Sequence, residues 1–216
     1  MWSSIPELRP QWLGRLPYRW AWRLQHLRRE AVIAGHAPEA LWLLEHPSVI
    51  TTGRRAVADL PDAASLKARG IGLEHTERGG LATWHGPGQL VGYLIIDAAR
   101  RGIGVRRTVR AVEQGILDWL ASQDIDAHRR DGYPGVWVGR DKVCAIGMHF
   151  RRGVSMHGFA LNLDPDLSAY DLFVPCGIRD GGVTSMARLQ GSAPAPVAAS
   201  EGVGVAVASA VGRMRR

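Results

Sequence analysis

Trp20, Leu24, Leu27 and Ala31 recur at i, i+4, i+7 and i+11, which marks one face of a helix closed by Gly35. The run ALWLLEH (40–46) reads as a buried strand stopped by Pro47, and VITTG (49–53) as a second short strand. ADLPDAASLKARG (58–70) predicts a short helix ending at Gly70. From there to Asp97 the chain reads as strands broken by glycines. Val109, Val112, Ile116, Trp119 and Leu120 define a second amphipathic helix. Residues 135–163 read as three strands, GVWV, KVCAIGMHF and VSMHGFALNL. The polar Arg151-Arg152-Gly153 turn joins the last two as an antiparallel hairpin. QGSAPAPVAASEG (190–202) reads as a linker leading to a last helix over 203–214. Strands outnumber helices and pair locally, which predicts a single-domain α+β fold over 1–216, not a doubly wound sheet.

The length of 216 residues fits one ordinary domain with a sizeable core. No uncharged apolar run approaches the roughly 20 residues that a bilayer requires, so no membrane partner is expected. The start, MWSSIPELRPQWLGRLPYRW, puts Arg and Pro where a signal peptide needs a continuous apolar stretch. Two cysteines, Cys144 and Cys176, make no disulfide framework and point to a reducing, cytoplasmic setting. The net charge is +7, yet all but two of the 27 basic residues are arginine, and these are scattered. Scatter favours a solvated surface over a nucleic-acid patch. It also makes the two lysines, Lys67 and Lys142, conspicuous: an amine can give up a proton at a site, a guanidinium cannot.

Three segments carry chemistry. ERGGLATWHGPGQLVGYLIID (77–97) crowds Gly79, Gly80, Gly86, Gly88 and Gly92 around His85 and Pro87, which suits either a turn-rich hairpin or a ligand-binding loop. It lacks the Gly-Lys-Ser/Thr ending of a phosphate loop. In the hairpin 142–162, Ala145 and Gly147 share one strand face, as do Gly158 and Ala160. Such small residues leave either a groove for an apolar chain or room for a closely packed helix. In DLFVPCGIRDGGVTSM (171–186), Cys176 follows Pro175, with Arg179 near and Thr184-Ser185 able to cap a helix. That is a setting for a reactive thiolate, whereas Cys144 stands in an apolar strand as a small hydrophobe. Histidine is the commoner partner of a catalytic cysteine, so on composition His85 or His157 ranks above Lys142. His75, His85, His149 and His157 show no CxxC or HxxxH spacing, and no metal is expected.

At these segments the chain resembles the lipoyl(octanoyl) transferase family: RGGLATWHGPGQLVGY (78–93), PGVWVGRDKVCAIGMHF (134–150) and HGFALNLDPDLSAYDLFVPCGIRDGGVTSM (157–186), with EHPSVITTGRR (45–55) before them. The resemblance is collinear over roughly 41–189; Trp84 stands where the family usually has Tyr. It implies a mixed sheet flanked by helices, like that of biotin and lipoate protein ligases. It implies Cys176 as nucleophile and Lys142 as its acid and base, in place of a histidine. The implied substrate-binding residues are Arg78, Gly79, Gly80, Leu81, Ala82, Thr83, Trp84 and His85, then Ala145, Ile146 and Gly147, then Gly158, Phe159 and Ala160. The implied partners are acyl carrier protein as octanoyl donor, and the lipoyl domains of 2-oxoacid dehydrogenases and the glycine cleavage H protein as acceptors, with no cofactor and a monomeric enzyme. An ATP-dependent lipoate or biotin ligase, a non-catalytic carrier-binding scaffold and a basic RNA-binding module are the alternatives.

Overall fold

The computed structural model describes residues 7–54, 60–173 and 181–214. Its elements run β1 (Pro10–Arg15), α1 (Tyr18–Ile33), β2 (Ala40–Glu45), β3 (Val49–Thr52), α2 (Ala63–Ala68), β4 (Gly72–His75), β5 (Thr83–His85), β6 (Gln89–Ile95) and α3 (Val105–Ala121). They continue through β7 (His128–Arg130), β8 (Tyr133–Val138), β9 (Asp141–Arg151), β10 (Val154–Asn162), a 3-10 turn (Leu167–Leu172), α4 (Met186–Gln190) and α5 (Pro196–Arg213). A seven-stranded sheet has the order β1-β2-β6-β10-β9-β8-β7, and a small sheet the order β4-β3-β5. In each, one pair is parallel (β1 with β2, β3 with β4) and the rest are antiparallel, so both sheets are mixed. The α+β class and the mixed sheet between helices match the sequence reading.

Helices α3 and α5 cover one face of the large sheet, over a core that includes Leu43, Leu94, Ile116, Leu120 and Val207. Each such side chain, fully buried, contributes about 1.5–3 kcal/mol. The two helices pack closely because Gly115 lies under α5, where a Cβ would stand 2.4 Å from the Val207 Cα. The other face carries a smaller cluster with Ala21 of α1 on Trp42, Val91, Tyr93 and Ala160. The small sheet, α2 and the 3-10 turn enclose a third cluster around Ile50, Leu66, Trp84, Tyr170 and Phe173. The β9–β10 hairpin closes through Arg152 at φ 49° and Gly153 at φ 82°, the two positive angles of a type I′ turn.

Three of the differences from the sequence reading have a plain physical reason. Helix α1 forms, but Trp20 and Leu27 are 65% and 62% exposed, and the buried side is Tyr18, Ala21, Gln25 and Arg29. Polar groups on the sheet side explain the rotation. Gln25 Oε1 accepts the His157 N–H at 2.8 Å, and Arg29 donates to His149 Nδ1 at 3.1 Å. Strand β1 was not expected, since Pro10 and Gly14 break any alternation. Helix α5 begins at Pro196 instead of 203, with proline at the first turn where its missing N–H costs nothing.

Candidate active site

On the α1 face of the large sheet, the pairing of β9 with β10 sets Gly147 opposite Gly158 and Ala145 opposite Ala160. The next strand sets Tyr93 beside Gly158 and Val91 beside Ala160. Small residues therefore form one continuous patch where larger side chains would fill the space. The glycine-rich loop crosses this patch. Gly79 N–H donates to the Met148 carbonyl at 3.1 Å, and a Cβ on Gly147 would stand 3.1 Å from the Gly79 carbonyl oxygen. Arg78 holds the loop from below, donating to the Thr51 carbonyl at 2.6 Å and to Thr51 Oγ1 at 2.9 Å.

What remains open is a narrow pocket of about 50 Å³. Its walls are Arg78, Gly79, Gly80, Thr83 and His85 from the loop and β5, and Ala145, Ile146, Gly147, Gly158, Phe159 and Ala160 from the hairpin. Two segments far apart in sequence, each suspected separately, thus meet at one cavity. Leu81, Ala82 and Trp84 do not line it. Strand β5 alternates, so Thr83 and His85 face the pocket while Trp84 turns into the small-sheet core, its Nε1 donating to Ser48 Oγ at 2.8 Å. Ala82 is buried in that same core, and Leu81 is half-buried outside the cavity. The Trp84 departure from the family pattern therefore falls away from the pocket wall. A larger concavity of about 730 Å³, by Leu8, Pro10 and Val205, contains no residue of the three motifs.

Tyr18, Tyr93 and His157 also line the pocket; sequence reasoning weighed His157 only as a partner for the cysteine and gave Tyr18 and Tyr93 no role. Tyr93 lay within a quoted motif; Tyr18 carried no signal beyond its aromatic ring. His46, just behind, orders the group. Its Nδ1 is 2.6 Å from the Leu16 carbonyl, an acceptor only, so Nδ1 carries the proton and Nε2 accepts from the Tyr93 hydroxyl at 2.7 Å. His85 Nδ1 meets Gln89 Oε1 at 2.8 Å, while the Gln89 amide donates to Asn162 Oδ1 at 2.8 Å. Burial, reinforced by His46 nearby, pushes His85 down to about 3; burial pushes His46 down to about 4. Both rings are neutral at pH 7, and His85 is far too weak a base to hold a proton taken from a thiol. Burial likewise lowers His157, which occupies φ 63° and is almost wholly enclosed.

Lys142, second residue of β9, is buried, with its Nζ donating to the Pro134 carbonyl at 3.2 Å and lying 4.8 Å from the centre of the Trp137 ring. Its N–H donates to the Gly182 carbonyl and its own carbonyl accepts from the Thr184 N–H, both at 3.0 Å. Asp141 Oδ1 takes the Gly182 N–H at 2.7 Å, fastening the same segment. Cys176, six residues before Gly182 in the sequence, lies outside the described residues, as do Pro175, Gly177 and Arg179. Ser185 caps α4, its side chain accepting from the Arg188 N–H. Cys144 is enclosed in the main core, and burial pushes its thiol far up, which makes it inert. Among the described residues no group of three or more His, Cys, Asp or Glu could hold a metal ion, and no helix is long and apolar enough to cross a membrane.

The family model for the lipoyl protein ligase A/B catalytic domain matches residues 17–201. Among solved structures, lipoate-protein ligase A bound with ATP superposes with a TM-score of 0.71 at 17% identity, covering 96% of this chain and 85% of that one. The Aquifex aeolicus biotin protein ligase in complex with biotin and ATP gives 0.59 at 11%, covering 96% and 72%. These two show the fold alone. The octanoyltransferase of Chloroflexus aurantiacus is 44% identical over 189 residues, 85% of each chain. That of Mycolicibacterium gilvum is 45% identical over 190 residues, 85% of this chain and 77% of its own. The chain belongs to the lipoyl protein ligase A/B catalytic-domain family, and within it to the octanoyltransferases. It is an acyltransferase.

Proposed function

We propose that the whole chain is one catalytic domain that moves an octanoyl group from acyl carrier protein to a lysine of lipoyl domains, through a thioester on Cys176 with Lys142 as acid and base. The Cys176 sulfur, as thiolate, attacks the octanoyl thioester carbonyl. The carbon–sulfur bond to the carrier breaks, and the departing thiolate takes a proton from the Lys142 ammonium. The acceptor lysine amine then attacks octanoyl-Cys176, and neutral Lys142 takes the proton as the amide forms. Cys176 leaves as thiolate beside a recharged Lys142, so the cycle closes without a cofactor. Backbone N–H groups of the glycine-rich loop or beside Cys176 stabilise the oxyanion. The acyl chain lies on the patch of Ala145, Gly147, Gly158 and Ala160. The enzyme works in the cytoplasm as a monomer, and its +7 charge favours encounter with acidic carrier domains.

The observation that carries this reading is the backbone coupling of Lys142 to Gly182 and Thr184, which keeps the chain just downstream of Cys176 against the lysine. Weak basicity at His85 supports it, since burial keeps that pocket histidine from holding a proton near neutral pH. Transfer from octanoyl-carrier protein to an apo-lipoyl domain without ATP is the test. An absolute ATP requirement would mean ligase chemistry instead.

A further inference from the structure

Beside Lys142 the surface is basic, and at Arg106 and Arg110 in a way the fold does not require. The start of α3 and the β7–β8 hairpin enclose a cleft of about 310 Å³ lined by Arg106, Arg110, Arg129 and Arg130, with Glu113 and Asp131 as its carboxylates. Glu113 is already committed: it is buried, accepts from Arg129 Nε at 3.1 Å and takes the Gly135 N–H at 3.2 Å. Asp131 is fully exposed and stands 3.7 Å from Arg110, a pairing worth little in water. The first turn of α3 holds no acidic residue, and Arg106 stands in it. Positive charge there opposes the helix dipole, so helix stability does not account for it.

The cleft also adjoins the amine. Pro134, one of its walls, is the residue whose carbonyl accepts Lys142 Nζ at 3.2 Å. Reach then separates the two protein substrates. A lysine side chain spans only about 6 Å from Cα to Nζ, so the body of the acceptor must touch the rim around the acyl carbonyl. A phosphopantetheine arm is several times longer, and a donor can dock farther away.

Resting on the function proposed above, we infer that this arginine cleft is the docking surface for the acceptor domain and engages carboxylates that flank its target lysine. Tyr133, partly exposed with Arg130 4.6 Å above its ring, supplies an apolar contact in the same cleft. Arg106→Glu and Arg110→Glu, singly and together, test this with the two half-reactions measured apart. Glu at position 106 suits the helix N-terminus, and urea unfolding checks that each variant is folded before its rates are compared. Acylation of the enzyme by octanoyl-carrier protein is expected to stay within about twofold, while kcat/KM for an apo-lipoyl domain falls about tenfold or more at low salt and recovers as salt rises. Replacing the carboxylates beside the acceptor lysine with arginine is expected to restore the double variant. An unchanged kcat/KM for the acceptor, with acylation normal, would overturn the inference. So would an equal fall in acylation, which would give the cleft to the donor. Failure of the unaltered enzyme to form any acyl adduct would instead refute the proposed function.

Discussion

Gly135 and the Lys142 side chain lie so close that a Cβ on Gly135 would stand 3.2 Å from Lys142 Cε and 2.6 Å from the Cys144 carbonyl oxygen. The glycine sits at φ 133°, which side chains avoid, and its N–H is held by Glu113. The stem of the lysine thus lies in a slot cut by a missing side chain, with Trp137 on its flank. Gly135→Ala is expected to destabilise the fold by about 1–3 kcal/mol and to displace the amine. Urea unfolding gives the first effect. A fall of about tenfold or more in single-turnover transfer, measured where the variant is fully folded, gives the second. An unchanged rate would show that Lys142 needs no such slot.

Lys142→Arg separates charge from proton transfer, because Arg keeps the cation and cannot release a proton. The expected cost in transfer from octanoyl-Cys176 to the acceptor is about 100-fold or more. A variant as fast as the parent would reduce Lys142 to an electrostatic role.

The two glycines facing each other across the hairpin should respond differently. A Cβ on Gly147 meets the Gly79 oxygen at 3.1 Å and Arg78 Cδ at 3.4 Å, where the loop can shift slightly. One on Gly158 would collide with the Gly92 oxygen at 2.1 Å, within the sheet itself. Gly147→Ala is expected to fold and to favour acyl chains shorter than octanoyl in competition assays. Gly158→Ala is expected to lose stability first, by about 1–3 kcal/mol in denaturant unfolding. Unaltered chain preference in Gly147→Ala would locate the acyl chain elsewhere.

Acid should weaken the fold through the pocket histidines. His85 and His46 are pushed by burial to about 3 and about 4, below their unfolded value near 6.5. As pH falls below about 6.5 the unfolded chain binds protons that the folded chain refuses, so stability drops progressively toward pH 4. With both rings contributing, the slope approaches roughly 2–3 kcal/mol per pH unit. Tm measured between pH 7 and pH 4.5 is expected to fall accordingly, and His46→Gln to flatten the curve. A flat profile over that range would mean that these rings are not buried neutral.

Much of this fold was legible because its signals are local. The periodicity of Val112, Ile116, Trp119 and Leu120 marks α3, while the paired small residues of β9 and β10 left a groove and a closely packed helix equally open, a choice that the crossing of the glycine-rich loop decides in space. Helix α1 misled because its buried side is chosen by hydrogen bonds to His157 and His149, residues remote in sequence, and not by apolarity. Periodicity alone pointed Trp20 and Leu27 inward, and they face solvent. Strand β1 has no pattern of its own; it exists because β2 offers a parallel edge and Gly204 of α5 lets Pro10 approach. At the site, the alternation of β5 could have excluded Trp84 once Thr83 and His85 were assigned to one face. Tyr18 and the tautomer of His46 needed the third dimension.

The most direct measurement is intact-protein mass spectrometry, followed by peptide mapping, after mixing the enzyme with octanoyl-carrier protein and no acceptor. The expected result is a gain of one octanoyl group on Cys176, absent in Cys176→Ser and discharged when an apo-lipoyl domain is added. An octanoyl group mapped to any other residue, or transfer that persists in Cys176→Ser, would contradict the account.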